Sequence, residues 1–237
     1  MLRIRAFRAI DDIESCEKFS EGHTDVLKSY GIKKVTSANT DWFHNPGVYV
    51  ILVEAGEDYI AVGGARIHVS SPENDVPLPI EDAIGDLDDG IHNLVRKYAK
   101  ERTGEICGLW NAREVSGKGL SLLLIRAGIA KSGLVIANQL KLNSLFGLCA
   151  PWTLDVMKNL GFSVEETLGD KGSFPYPRPD LLATVVIAKD TETLGTAARD
   201  EKKGIFNLRE KPKQVRYEKG PKGDHMIDYN LYIPHLS

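Results

Sequence analysis

The chain has 237 residues, 42% of them hydrophobic and 27% charged, the ordinary range of a soluble protein able to bury a large core as one domain or one domain with an appendage. Against 33 Asp and Glu stand 30 Lys and Arg, and a net charge of −3 gives no global positive field, which argues against nucleic acid or an anionic membrane as partner. Cys16, Cys107 and Cys149 stand far apart with no CxxC pair, and neither an apolar leader nor the roughly 20 apolar residues of a membrane span is found, so the expectation is a reduced, cytoplasmic protein.

In chain order, Leu2, Ile4, Ala6 and Phe7 lie in a short strand-like alternation, and Asp11-Asp12 offers a cap for a helix through about Tyr30, closed by Gly31. Trp42 to Pro46 precedes a hairpin formed by 48–53 and 59–69 about a turn at 55–58. The three prolines of 71–79 mark a loop. Residues 80–100 then carry one helical spacing (Ile84, Leu87, Ile91, Leu94, Val95, Tyr98) with a solvated acidic face. A strand at 105–111, a glycine turn, a helix from about Leu120 running toward Ala137, a strand at 144–149, a helix at 151–160 and a strand at 182–188 complete an alternating α/β order. The expected domain spans residues 1–190. Residues 191–237 form a C-terminal extension that reads either as a disordered basic arm or as an ordered hairpin about Gly220-Pro221-Lys222-Gly223, packed on the domain or on a second subunit of a homodimer.

The chemistry-bearing window is Asn111, Ala112, Val115, Ser116, Gly117, Lys118, Gly119, Leu120 and Ser121, between a strand and a strongly apolar helix. Small residues let the backbone turn tightly and bring successive N–H groups to an anion, and the helix adds its dipole, so a phosphate or pyrophosphate is the expected guest. A P-loop is excluded, because Gly119 rather than Ser or Thr follows Lys118 and Ala112 takes the first glycine place. A GxGxxG fingerprint from Gly117 finds Leu122 in its third place. None of the six histidines forms an HxxxH pair, and no Cys–His spacing suits zinc, so no metal is expected.

The run 105–111 with the turn 116–121, followed by Leu160-Gly161-Phe162 at the end of a helix, resembles the fourth strand, acyl-CoA turn and later helix of the GNAT (GCN5-related) N-acyltransferases. The resemblance implies a mixed, mostly antiparallel sheet with helices on both faces and one splayed parallel strand pair, 105–111 with 144–149. It also implies acetyl-CoA or another acyl-CoA as co-substrate, with pantetheine in the splay near Asn111 and Val115 and pyrophosphate on the turn 116–121. Activity would be acyl transfer to an amine of a small molecule or peptide. Ser116 stands where the family has Arg or Gln, Ser121 where it has Gly or Ala, and Met157 where many members place a tyrosine that protonates the leaving thiolate. A thioether has no proton to give.

Replacement groups are Glu114 and Cys149 first, then Trp152, Glu105 and His92, each with a packing or solvation reading beside the chemical one. Trp42 and Trp152 are the candidate acceptor contacts, and the proline-rich loop 174–179 a candidate cover. Two alternatives accompany the N-acyltransferase reading: an enzyme like the acyl-homoserine lactone synthases, or a non-catalytic acyl-CoA-binding sensor.

Overall fold

Apolar residues at alternate positions place Leu2, Ile4 and Ala6 on one side of strand β1 (Leu2–Arg8). Asp12 then caps helix α1 (Ile13–Ser29) by accepting the N–H of Ser15 at 3.1 Å, and Gly31 follows the helix in the left-handed region at φ +69°. The computed structural model describes residues 1–32, 39–234 and 236. The expected hairpin is β2 (Val48–Ala55) with β3 (Ile60–Ser70).

The single helix expected over residues 80–100 is two, α2 (Pro79–Ile84) and α3 (Gly90–Ala99). Gly85 and the Asp-rich stretch after it are poor helix formers, and the Asp88 carboxylate accepts the N–H groups of Gly90 (3.0 Å) and Gly169 (2.8 Å). Strand β4 (Thr103–Asn111) leads into α4 (Leu120–Ser132), which ends five residues short of Ala137: Gly133 leaves the helical conformation, and the Ser132 hydroxyl donates back to the Gly128 carbonyl at 2.9 Å. Then come β5 (Ser144–Cys149), α5 (Pro151–Asn159), the short β6 (Ser163–Val164) and β7 (Ser173–Pro175), and β8 (Leu182–Ala188).

The C-terminal segment contributes α6 (Arg199–Glu210), which the sparse aliphatic content of this region does not announce. Its inward face consists of Gly204, Ile205, Leu208 and Arg209, packed on α4. Strands β9 (Lys213–Gly220) and β10 (Gly223–Asn230) form a hairpin whose second strand pairs parallel with β1, so the disordered-arm alternative does not hold. Two basic residues of the C-terminal segment find partners in the fold: the Arg209 guanidinium donates to the carbonyl of Glu192 (3.0 Å) and Arg216 pairs with Glu218 (2.7 Å).

Among the described residues ten strands form one sheet, ordered β6-β8-β5-β4-β3-β2-β1-β10-β9 with β7 also on β8. Strand alternation divides its core. Tyr49, Ile51 and Val53 of β2 belong to the cluster around α4, while Val48, Val50 and Leu52 belong to the one that holds Phe19 of α1. A third cluster packs Ile80, Ile84, Ile91 and Val95 of α2 and α3 against Phe146, Val185 and Ile187. Helix α4 is buried on nearly every side, which accounts for its run of apolar residues without an amphipathic stripe.

Candidate active site

Strands β4 and β5 are hydrogen-bonded neighbours over only three pairs, Thr103 with Ser144, Gly104 with Leu145 and Glu105 with Phe146, and then part. On its other edge β4 bulges: Arg66 pairs with Cys107 and Gly64 with Trp110, leaving Gly108 and Leu109 opposite Ala65. Gly108 takes φ +59°, and a Cβ there would lie 3.1 Å from the Arg66 Nε, so the bulge needs glycine for both conformation and space.

The parting strands open a cleft of about 270 Å³. Its walls are Ile106 to Leu109 of β4, Leu148 and Cys149 of β5 and Met157 of α5, and it reaches through the sheet to His23 and Leu27 of α1, with Tyr176 and Pro177 at the side. Burial pushes the Cys149 thiol up to about 11 and the Cys107 thiol up to about 12, and takes His23 down to about 4 with help from the Arg66 charge. At neutral pH these two thiols keep their protons and this imidazole is uncharged. The wall is mostly apolar; besides backbone and these weak donors it includes Thr153 and Tyr176, which carry hydroxyls.

At the end of β4 the chain passes through a 3-10 turn (Arg113–Val115) into the glycine turn and α4. Gly117 and Gly119 adopt φ +80° and +75°, and Asn111 Nδ2 donates to Ser121 Oγ at 2.8 Å, tying strand end to helix start. Among the described residues no acceptor takes the N–H of Gly117, Gly119, Leu120, Ser121 or Leu122. Open amides on two left-handed glycines and a helix N-terminus are groups that could hold an anion.

A second cavity of about 450 Å³ lies on the α1 side of the sheet, lined by Trp42, His44, Arg66, His68 and Asp82 among others. The Arg66 guanidinium is fully buried over the Trp42 ring at 4.3 Å and runs from this cavity to the bulge at Gly108. Glu105 sits close by in the sheet, its Oε2 accepting the Ile80 N–H at 2.7 Å.

The residues singled out in the sequence fall into three groups. Cys149 and Trp152 line the cleft, Trp152 on its rim at 76% exposure. Trp42 lines the second cavity, packed edge-on against Phe19 and Phe43. Glu114 is exposed on the 3-10 turn and lines neither, and His92 pairs with Glu81 at 3.0 Å away from both. Missed were His23, Arg66 and His68, and Tyr176 was noted only as part of a loop. An arginine and a histidine two residues apart on an otherwise apolar strand, Arg66 and His68, are the signal that points to the second cavity. Among the described residues no three His, Cys, Asp or Glu side chains gather as metal ligands, and no helix is long and apolar enough to cross a membrane.

No protein-family model and no curated protein matches the sequence. Solved structures do match in fold. The chain is similar to FeeM, an N-acyl amino acid synthase from uncultured soil microbes, with TM-score 0.54 at 10% identity, covering 79% of this chain and 93% of that one. It is similar to MesI, a CoA-dependent acyl-homoserine lactone synthase, with TM-score 0.55 at 13% identity over 88% and 95% of the two chains. Escherichia coli ElaA matches with TM-score 0.53 at 10% identity over 79% and 99%. The mixed sheet with its splayed β4–β5 pair is the GNAT fold, in a divergent sequence.

Proposed function

We propose that this protein transfers an acyl group from acyl-CoA to an amine of a small molecule or peptide. The observation that carries the reading is the succession of two features along the chain in one GNAT sheet: a cleft walled by Ile106 to Leu109 where β4 and β5 part, and, after the end of β4, five open amides in the glycine turn and first turn of α4. Pantetheine lies along the β5-facing edge of β4 toward Asn111, Ala112 and Val115, the diphosphate meets the turn Ser116 to Ser121 including Lys118, and the thioester comes to rest at the Gly108 bulge. The amine nitrogen attacks the thioester carbon, the C–S bond breaks, the nitrogen gives up a proton and the CoA thiolate leaves.

Cys149 lines the cleft beside the reacting atoms, and burial pushes its thiol up to about 11. Glu114 is exposed on the 3-10 turn and is not part of the cleft lining. Tyr176, a residue of the cleft lining that carries a phenolic hydroxyl, takes the acid's part in place of the family tyrosine replaced by Met157. Trp152 at the rim and Trp42 in the second cavity frame the acceptor's approach.

A second reading has its own support. MesI aligns with 88% of this chain against 79% for FeeM and ElaA, which favours an acyl-homoserine-lactone-synthase-like acceptor. The related BjaI binds S-adenosylmethionine and isopentyl-CoA.

The test is thermal melting followed by thiol release. CoA at about 100 times its Kd stabilises a protein by about 2.7 kcal/mol, or about 5–10 °C for a chain of this size. Acyl-CoAs of increasing length with amino acids, polyamines and S-adenosylmethionine then give free thiol with the true acceptor. Absence of a melting shift with every CoA thioester refutes the proposal, and a shift without thiol release assigns a sensor.

A further inference from the structure

Two segments about a hundred residues apart meet at the anion cradle, and glycine stands at each point of contact. A Cβ on Gly117 would lie 2.5 Å from Cε of Lys222, one on Gly119 3.2 Å from Cδ of Pro221, and one on Gly220 2.7 Å from the Lys118 carbonyl oxygen. The turn of the β9–β10 hairpin is therefore seated backbone to backbone on the glycine turn before α4, an approach that residues with side chains would not permit. Lys222 lays its alkyl stem across Gly117 and donates from Nζ to the Ser116 carbonyl at 3.2 Å.

That ammonium has three donors and uses one here, and among the described residues no carboxylate lies within ion-pair distance of it. It is an exposed, uncompensated cation at the edge of five open amides. The hairpin's position is also secured. Arg126 of α4 donates to Glu218 of β9 at 2.8 Å and to Glu201 of α6 at 2.8 and 3.0 Å, and Glu218 accepts the Tyr229 hydroxyl of β10 at 2.8 Å. The helix whose N-terminus forms the cradle thus holds the hairpin that brings the lysine.

We propose that Lys222 is a diphosphate ligand of the acyl-CoA site, supplied to the cradle by the C-terminal hairpin. The inference rests on the acyl-CoA reading above. The glycine turn itself carries one cation, Lys118, against a diphosphate with at least two negative charges. Rotation about the lysine stem moves Nζ from the Ser116 carbonyl to a phosphate oxygen without moving the hairpin.

Equilibrium binding of CoA to wild type, Lys222→Gln and Lys222→Arg decides it, with apo melting temperatures as control. Glutamine keeps most of the stem over Gly117 and removes the charge, so its affinity should fall about tenfold at low salt, as for loss of one charge-assisted contact. Arginine should stay near wild type, and the gap between wild type and Lys222→Gln should narrow at high salt. Apo melting should be unchanged in both. Lys222→Gln binding CoA within twofold of wild type overturns this inference and leaves the acyl-CoA reading intact. Tighter binding overturns it as well, by making Lys222 a plug, and failure of the wild type to bind CoA overturns both.

Discussion

Replacing Arg126 by methionine tests how far the fold depends on the ionic junction that joins α4, α6 and the C-terminal hairpin. The Arg126 guanidinium donates to Glu201 Oε2 through Nε (3.0 Å) and Nη2 (2.8 Å) and to Glu218 Oε2 through Nη1 (2.8 Å), with 9% of its side chain exposed. Burial alone would lower its pKa, but Glu218 and Glu201 outweigh burial and the net shift is upward. Removing one partner of a buried pair costs about 3–5 kcal/mol because the other charge stays buried without compensation. The cost here is smaller, about 2–3 kcal/mol, since Glu218 keeps Arg216 and Tyr229 and Glu201 reaches water at 18% exposure. At about 2–4 °C per kcal/mol for this chain length, the melting temperature should fall by about 4–12 °C. Adding Glu201→Gln to Arg126→Met should recover part of the loss, because the charge left without a partner is then gone. A drop below about 2 °C by scanning calorimetry, or no recovery in the double variant, refutes the reasoning.

Two further predictions concern the sheet beside the cleft. Glu105 is 2% exposed, and burial pushes its carboxyl up to about 8 against the opposing pull of the Ile80 N–H and Arg66. The folded state therefore binds more protons than the unfolded state between the ordinary carboxyl value and about 8, and stability should decline as pH rises through that window and level off above it. Glu105→Gln, which retains an oxygen for the Ile80 N–H, should flatten the decline; denaturation midpoints at pH 5, 6.5 and 8 that run parallel for the two proteins contradict this. Tyr176→Phe removes only the hydroxyl of a cleft-lining residue and should lower kcat at least tenfold, within the usual worth of a general acid, while CoA affinity stays unchanged. An unaltered kcat would exclude Tyr176 as the acid.

Much of the architecture was legible locally. Strand edges at Ser144–Cys149 and Leu182–Ala188 follow from short apolar runs bounded by polar turns, and α1 is announced by its Asp12 cap and Gly31 stop. The helix expected across 80–100 failed at Gly85 because apolar spacing continued through a segment whose glycine and aspartates prefer turns. Helix α6 escaped because its buried face is only about one turn wide and its two less exposed charges are satisfied from outside the helix, Glu201 by Arg126 of α4 and Arg209 by the carbonyls of Glu192 and Ile129. Within the site, the glycine turn was readable because left-handed backbone demands particular residues. The His23–Tyr176 span of the cleft was not, because α1 and the loop before β8 meet there only after the sheet has formed.

The sequence by itself determined the order of most strands and helices, the glycine turn at 116–121 and the Leu160-Gly161-Phe162 turn, all set by backbone preferences and short-range apolar periodicity. Only the tertiary structure decided that Cys149 and Tyr176 share a cleft while Glu114 does not, that Arg66 runs between two cavities, and that Lys222 lies on the cradle. Those placements come from strand register and from the docking of the final hairpin on β1, interactions between segments far apart in the chain whose energies no local pattern records.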